Sequence, residues 1–209
     1  ASLPAGVAGS PYAATLAAGG GVPPFTWSAT LPAGLQIDPG SGAISGAAAT
    51  GASATIAVTV TDSTGVKATR PYTVQFAMPA VSPVSFGGST TANPLAQPAV
   101  TFTLGNAYPL PITGTVTLTF QPDSGPDDPN VQFSSGGRTA TFTIPAGATV
   151  VTFTSPNLAF QAGTVAGVVT LTLSLQSGGQ NITPSPAPSR QIRISTSAPA
   201  LTSLTATRG

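Results

Sequence analysis

The chain has 209 residues, 41% of them hydrophobic but only 5% Asp, Glu, Lys or Arg, with a net charge of +1. That length accommodates one large or two ordinary domains with cores of their own, and the apolar content excludes disorder of the whole. Six Lys and Arg in all offer no cluster for nucleic-acid phosphates or an acidic membrane surface, and without Cys or His there is neither a disulfide framework nor the commonest transition-metal ligands.

Helical periodicity is not evident, and 24 Gly with 22 Pro punctuate the chain too often for long helices. No apolar run reaches the roughly 18–20 residues that span a bilayer. In chain order, strands are expected near Ala5, Ala14, Trp27, Gln36, Ile44, Val58 and Val74. Ala54–Thr61 is the plainest: Ile56, Val58 and Val60 alternate with Thr55, Ala57 and Thr59, so β-branched apolar groups take one face. Ala77–Val84 then carries Pro79 and Pro83, which predicts a stiff, extended connector. Further strands are expected near Ser85, Phe102, Thr117, Gln132, Phe142, Thr152 and Leu171, with a closing strand over residues 191–195. Val100–Leu104, Val116–Phe120 and Val169–Leu175 repeat the period of two. Many short strands separated by turn residues indicate a sandwich or barrel.

Between the strands, Leu31-Pro32-Ala33-Gly34-Leu35 reads as a sharp turn, with Pro for a fixed φ and Gly for a positive one. Asp38-Pro39-Gly40-Ser41-Gly42 and Asp62-Ser63-Thr64-Gly65 are tight turns whose Asp side chains accept local backbone N–H bonds. These stretches, with Leu3-Pro4-Ala5-Gly6, Tyr12, Pro23-Pro24-Phe25-Thr26-Trp27 and Ile44-Ser45-Gly46, carry a resemblance. Residues 1–76 resemble the putative-Ig, cadherin-like repeat family of bacterial surface and exported proteins, most specifically in LPAGLQIDPGSGAISG. The resemblance implies an immunoglobulin-type sandwich used in tandem, as spacer or adhesive modules. The second half is similar only in strand pattern to Ig-like modules of large exported bacterial proteins. The expectation is therefore an all-β chain of two tandem immunoglobulin-like β-sandwich domains. Residues 1–78 form the first, 79–84 the linker and 85–197 the second, while 198–209 are a tail or the start of a further module. With Ala1 preceded by no basic-then-apolar leader, the chain reads as a segment of a longer protein.

Cadherin-like modules hold calcium at their junctions, but calcium wants six to eight oxygens with several carboxylates. The linker has no acid, and Asp62 is expected at the pole remote from it. The best cation constellation is Asp123, Asp127 and Asp128, which with Asn130 and backbone carbonyls could wrap a calcium ion in one Pro/Gly-rich loop. Its spacing departs from the Asp-x-Asp-x-Asp-Gly pattern of calcium loops, and the same residues compose any solvated turn. No other cofactor is expected.

Trp27, in register with Phe25, suits a buried core position, and Tyr12 and Tyr72 alternate with apolar neighbours. That leaves Tyr108, in an expected loop, as the aromatic available to a sugar ring. Catalysis lacks its usual parts. A triad has no His base, Lys67 is expected in a solvated turn, which also disfavours an internal Lys–Asn crosslink, and adjacent Asp127 and Asp128 point apart in an extended backbone. Asn181-Ile182-Thr183 matches a glycosylation sequon but is expected to be an unmodified strand segment. The functional expectation is a non-catalytic spacer or adhesive module of an exported or cell-surface bacterial protein. Its partners would be the other domains of the parent and a surface glycan or protein, and the alternative is a carbohydrate-binding accessory to an enzyme elsewhere in that parent.

Overall fold

The computed structural model describes residues 1–196, so the expected tail Ala198–Gly209 lies outside the described residues. The N-terminal strands are β1 (Gly6–Val7), β2 (Tyr12–Thr15), β3 (Thr26–Ala29), β4 (Leu35–Ile37), β5 (Ala43–Gly46), β6 (Ser53–Thr61) and β7 (Lys67–Ala77). One sheet runs β1-β7-β6-β3, and the other β2-β5-β4. Alternation is what closes them face to face: Ile56 and Val58 of β6 are buried while Thr55 and Ala57 are exposed. The core between the sheets is built on Tyr12, Trp27, Ile44, Ile56, Val74 and Phe76. Tyr12 meets Phe76 edge-on, ring centroids 5.0 Å apart, and its hydroxyl donates to the Pro4 carbonyl at 2.9 Å. Trp27 is buried, as its register predicts.

The remaining strands are β8 (Val84–Phe86), β9 (Thr91–Ala92), β10 (Phe102–Leu104), β11 (Ile112–Pro122), β12 (Gln132–Phe133) and β13 (Thr139–Ile144). They are followed by β14 (Thr152–Phe153), β15 (Phe160–Gln161), β16 (Gly167–Ser177), β17 (Gln180–Asn181) and β18 (Ser189–Ile194). The main sheet runs β14-β13-β11-β16-β18-β9, with β17 also on β16, and two-stranded sheets β10-β8 and β12-β15 complete this half. Val116, Leu118 and Phe120 point inward from β11 and Thr117 and Thr119 outward. Phe102 sits at the centre of an aromatic group, with ring centroids 4.9 Å from Phe142 and 5.8 Å from both Phe86 and Phe153. Among the described residues the buried apolar side chains thus fall into two clusters, one in each half save for Ala8, which joins the C-terminal one. All described residues are strand, turn or irregular, and no helix among them is long and apolar enough to cross a membrane.

Three expectations need correction. β9, β15 and β17 are two-residue strands that no alternation can announce. Lys67 is not in a turn: it opens β7, paired with Thr61, and the turn is closed ahead of it by the Asp62 N–H donating to the Val66 carbonyl. Val84 belongs to β8 rather than to the connector.

Candidate functional site

The acidic loop follows directly from the end of β11. Asp123 stays at that strand end, where its N–H donates to the Ala166 carbonyl at 3.0 Å. Its carboxylate takes the guanidinium of Arg193 from β18, the Nη1 contact measuring 2.6 Å. Asp127 is gripped by a different arginine: Arg138 Nη1 and Nη2 donate to its two oxygens at 2.6 and 2.8 Å. Arg138 also donates to the Val131 and Asp128 carbonyls, so one planar fork ties the loop to the edge of β13. Asp128 turns inward. Only 5% of it is exposed, and its carboxylate accepts the N–H of Asn130 at 2.9 Å and of Thr164 at 3.0 Å, bridging this loop to the one before β16.

The three carboxylates therefore do not converge. Among the described residues no three His, Cys, Asp or Glu side chains gather as a set able to hold a metal ion. The physical reason is the two guanidiniums, which supply at the loop the positive charge a cation would have brought. Electrostatics follow. The Arg193 hydrogen bond holds the Asp123 carboxyl below its ordinary 3.8, and that from Arg138 does the same for Asp127. Asp128 is lowered chiefly by the Thr164 N–H, against the desolvation that burial imposes. Both arginines are raised in turn.

The other two acids behave as turn residues. Asp38 Oδ1 accepts from the Gly40 and Ser41 N–H groups and the Ser41 hydroxyl, at 3.1, 2.7 and 2.7 Å. Asp62 accepts from the N–H groups of Val22, Thr64 and Val66 at 3.2, 2.9 and 3.0 Å. It lies beyond the Thr61–Lys67 end of the β6–β7 hairpin, whereas the chain leaves β7 at the opposite end, at Ala77.

Tyr108 is not offered to solvent. It is 3% exposed, and its hydroxyl donates to the Pro79 carbonyl at 3.1 Å, so the ring is spent on fastening the segment after β7 to the β10–β11 loop. Desolvation raises its pKa. Burial overturns the loop-exposure expectation because Leu110 and Ile112 beside it are also buried, and the ring joins their cluster. Asn181 lies in β17, where its side-chain oxygen accepts the Thr183 N–H at 2.9 Å.

Sequence reasoning missed Arg138 and Arg193 as partners of these acids. Nothing local signals them, since Arg138 lies in the bend before β13 and Arg193 in β18, at separations of 11 and 70 residues from their carboxylates. What the whole arrangement does is fasten: loop to loop, and loop to strand.

No curated protein matches this sequence. Among solved structures the chain is similar to the Yersinia pseudotuberculosis adhesin InvE, at 17% identity and TM-score 0.39, over 82% of this chain and 48% of that one. It is also similar to the Escherichia coli adhesin FdeC, at 16% identity and TM-score 0.35, over 92% of this chain and 60% of that one. The chain thus spans about half of the first and three fifths of the second. Residues 1–77, whose two facing sheets carry the Pro–Gly and Asp turns, match the model of the Putative Ig domain family.

Proposed function

We propose that this chain is two immunoglobulin-like sandwiches in tandem, serving as a non-catalytic structural or adhesive spacer in a larger exported or cell-surface bacterial protein. One observation carries the reading. All five acidic residues of the chain spend their carboxylates on the fold itself, on backbone N–H groups, nearby hydroxyls or a single arginine each. Carboxylates so engaged are loop fasteners rather than general acids, nucleophiles or calcium ligands. The family model that the first module matches supports the same reading, and the burial of Trp27 and Tyr108 disfavours a stacking platform for sugars.

The test is scanning calorimetry of the purified chain with calcium or chelator, beside a glycan array and a turnover assay on glycan and peptide substrates. The expected result is an unchanged melting temperature, no specific glycan and no turnover. A calcium-dependent rise in melting temperature would restore the acidic loop as a cation site. A specific glycan would establish the carbohydrate-binding alternative, and turnover would sink the non-catalytic reading altogether.

A further inference from the structure

The boundary between the two halves is not a bare tether. Ala8, in the loop between β1 and β2, is wholly buried, yet it belongs to the core cluster of the C-terminal half. Beside it Gly9 has φ +73°, and a Cβ there would lie 2.8 Å from Pro109 Cβ and 3.0 Å from Leu110 Cγ. Only a glycine meets both conditions, a left-handed backbone and a neighbour at contact distance. A second strut comes from the loop before β6. The Gly51 N–H points at Met78 Sδ, 3.1 Å away, and the Gly51 carbonyl accepts the side-chain amide of Gln180, from β17. On the same side, a Cβ on Gly178 would lie 2.8 Å from Thr50 Cγ2. The connector is the third. Tyr108 donates to Pro79, Ser82 exchanges hydrogen bonds with Asn106, and the Gly105 N–H donates to the Pro83 carbonyl at 2.9 Å.

Two separate segments of the first half, and the connector, are thus pinned to two loops of the second by contacts that are apolar or neutral, with no carboxylate among them. Domains joined by one linker swing by default unless an interface holds them. Attachments at the β10–β11 loop and at the β16–β17 turn together oppose the swing, because rotation about one stretches the other. We infer that this joint is a rigid coupling that needs no cation, making the two sandwiches one mechanical unit in which Gly9 sets the close approach and Gln180 is the latch. The inference deepens the spacer reading and rests on it for its purpose: a spacer whose joint is locked by neutral contacts keeps its reach whatever the calcium or salt around it.

The chain has no native Cys, so spin labels on Ser28→Cys and Thr139→Cys, exposed positions in the two halves, report only the distance across the joint. Pulsed dipolar spectroscopy is expected to give a single narrow distance, the same with calcium or with chelator. Gly9→Leu should abolish the narrow peak and split one calorimetric transition into two, with strand content retained by circular dichroism. Gln180→Ala, which touches neither core, should broaden the peak without unfolding either half. A broad distribution in the labelled parent, or a narrow one only with calcium, overturns the inference, as does a narrow peak that survives both substitutions. A glycan hit would end the spacer reading while leaving this distance untouched, so the two failures are told apart.

Discussion

Asp128 is the side chain whose loss the fold would feel most among the acids. Its carboxylate caps two backbone N–H groups, one in its own loop and one in the loop before β16, in a site that is 5% exposed. Asp128→Ala leaves both donors without their acceptor and is expected to destabilise by about 1–3 kcal/mol in urea unfolding. Asp128→Asn keeps one acceptor oxygen and should lose less, so equal losses would show that charge rather than hydrogen bonding holds the loops. The pH dependence has one sign throughout. All five carboxyls lie below their ordinary 3.8 in the folded chain. A carboxyl lowered by folding contributes stability that is complete above its unfolded value and is lost as pH falls through its folded value. The chain has no His, Cys or Glu. Its melting temperature should therefore be level between about pH 5 and 8 and decline only below 3.8. A midpoint that moves between pH 5.5 and 7 would refute this, at roughly the range where only His titrates.

At the scale of the element, strand length and sheet position are matched. The four strands of nine to eleven residues, β6, β7, β11 and β16, are all interior to their sheets. The edges of those sheets are strands of two to four residues, such as β3, β9 and β14, which offer few unpaired backbone groups to another chain. With few charges available to guard its edges, this chain guards them by brevity. Within β11, Gly114 interrupts an otherwise β-branched and apolar inward row. A Cβ at that position would meet the Ser174 carbonyl oxygen of β16 first and lie 2.9 Å from Phe142 Cε2, so paired backbone and ring together occupy the space of the missing side chain. Strand propensity and packing give opposite answers for Gly114→Val: propensity favours Val by up to about 1 kcal/mol, and overpacking costs about 1–3. Packing should win, with a lower midpoint in urea; a more stable variant would mean that both the Phe142 ring and the β16 backbone at Ser174 can move aside. Phe142→Ala, which empties the same spot, is expected to cost about 3–5 kcal/mol.

For the molecule as a whole, the scarcity of charge is a property of the surface and not of the fold. The two ion pairs among the described residues, Arg138–Asp127 and Arg193–Asp123, are partly exposed and so weakly stabilising and readily screened. Sodium chloride should consequently move the melting temperature little, and a steep fall with salt would mean that these pairs matter more than their exposure allows. Much of the architecture was legible beforehand. Period-two alternation in Ala54–Thr61 or Val116–Phe120 is written in adjacent residues, and it placed the long strands and the inward faces. The Asp38 and Asp62 turns were equally legible, because most of their hydrogen bonds close within two to four residues. The two-residue strands β9 and β15 escaped, since two residues cannot alternate, whereas β1, β12 and β14 fell at expected centres. The sites escaped for a different reason. Asp123 finds its arginine 70 residues away, Asp128 its Thr164 donor 36 away, and Tyr108 its acceptor 29 away. By itself the sequence determined an all-β chain with Asp-built turns and a buried Trp27. Only tertiary structure decided that the acidic loop is taken by arginines, that Tyr108 is a fastener, and that Ala8 is buried in the other half's core. Local periodicity and turn chemistry are carried by neighbours along the chain, whereas the partner of a side chain is chosen by packing between segments far apart in it.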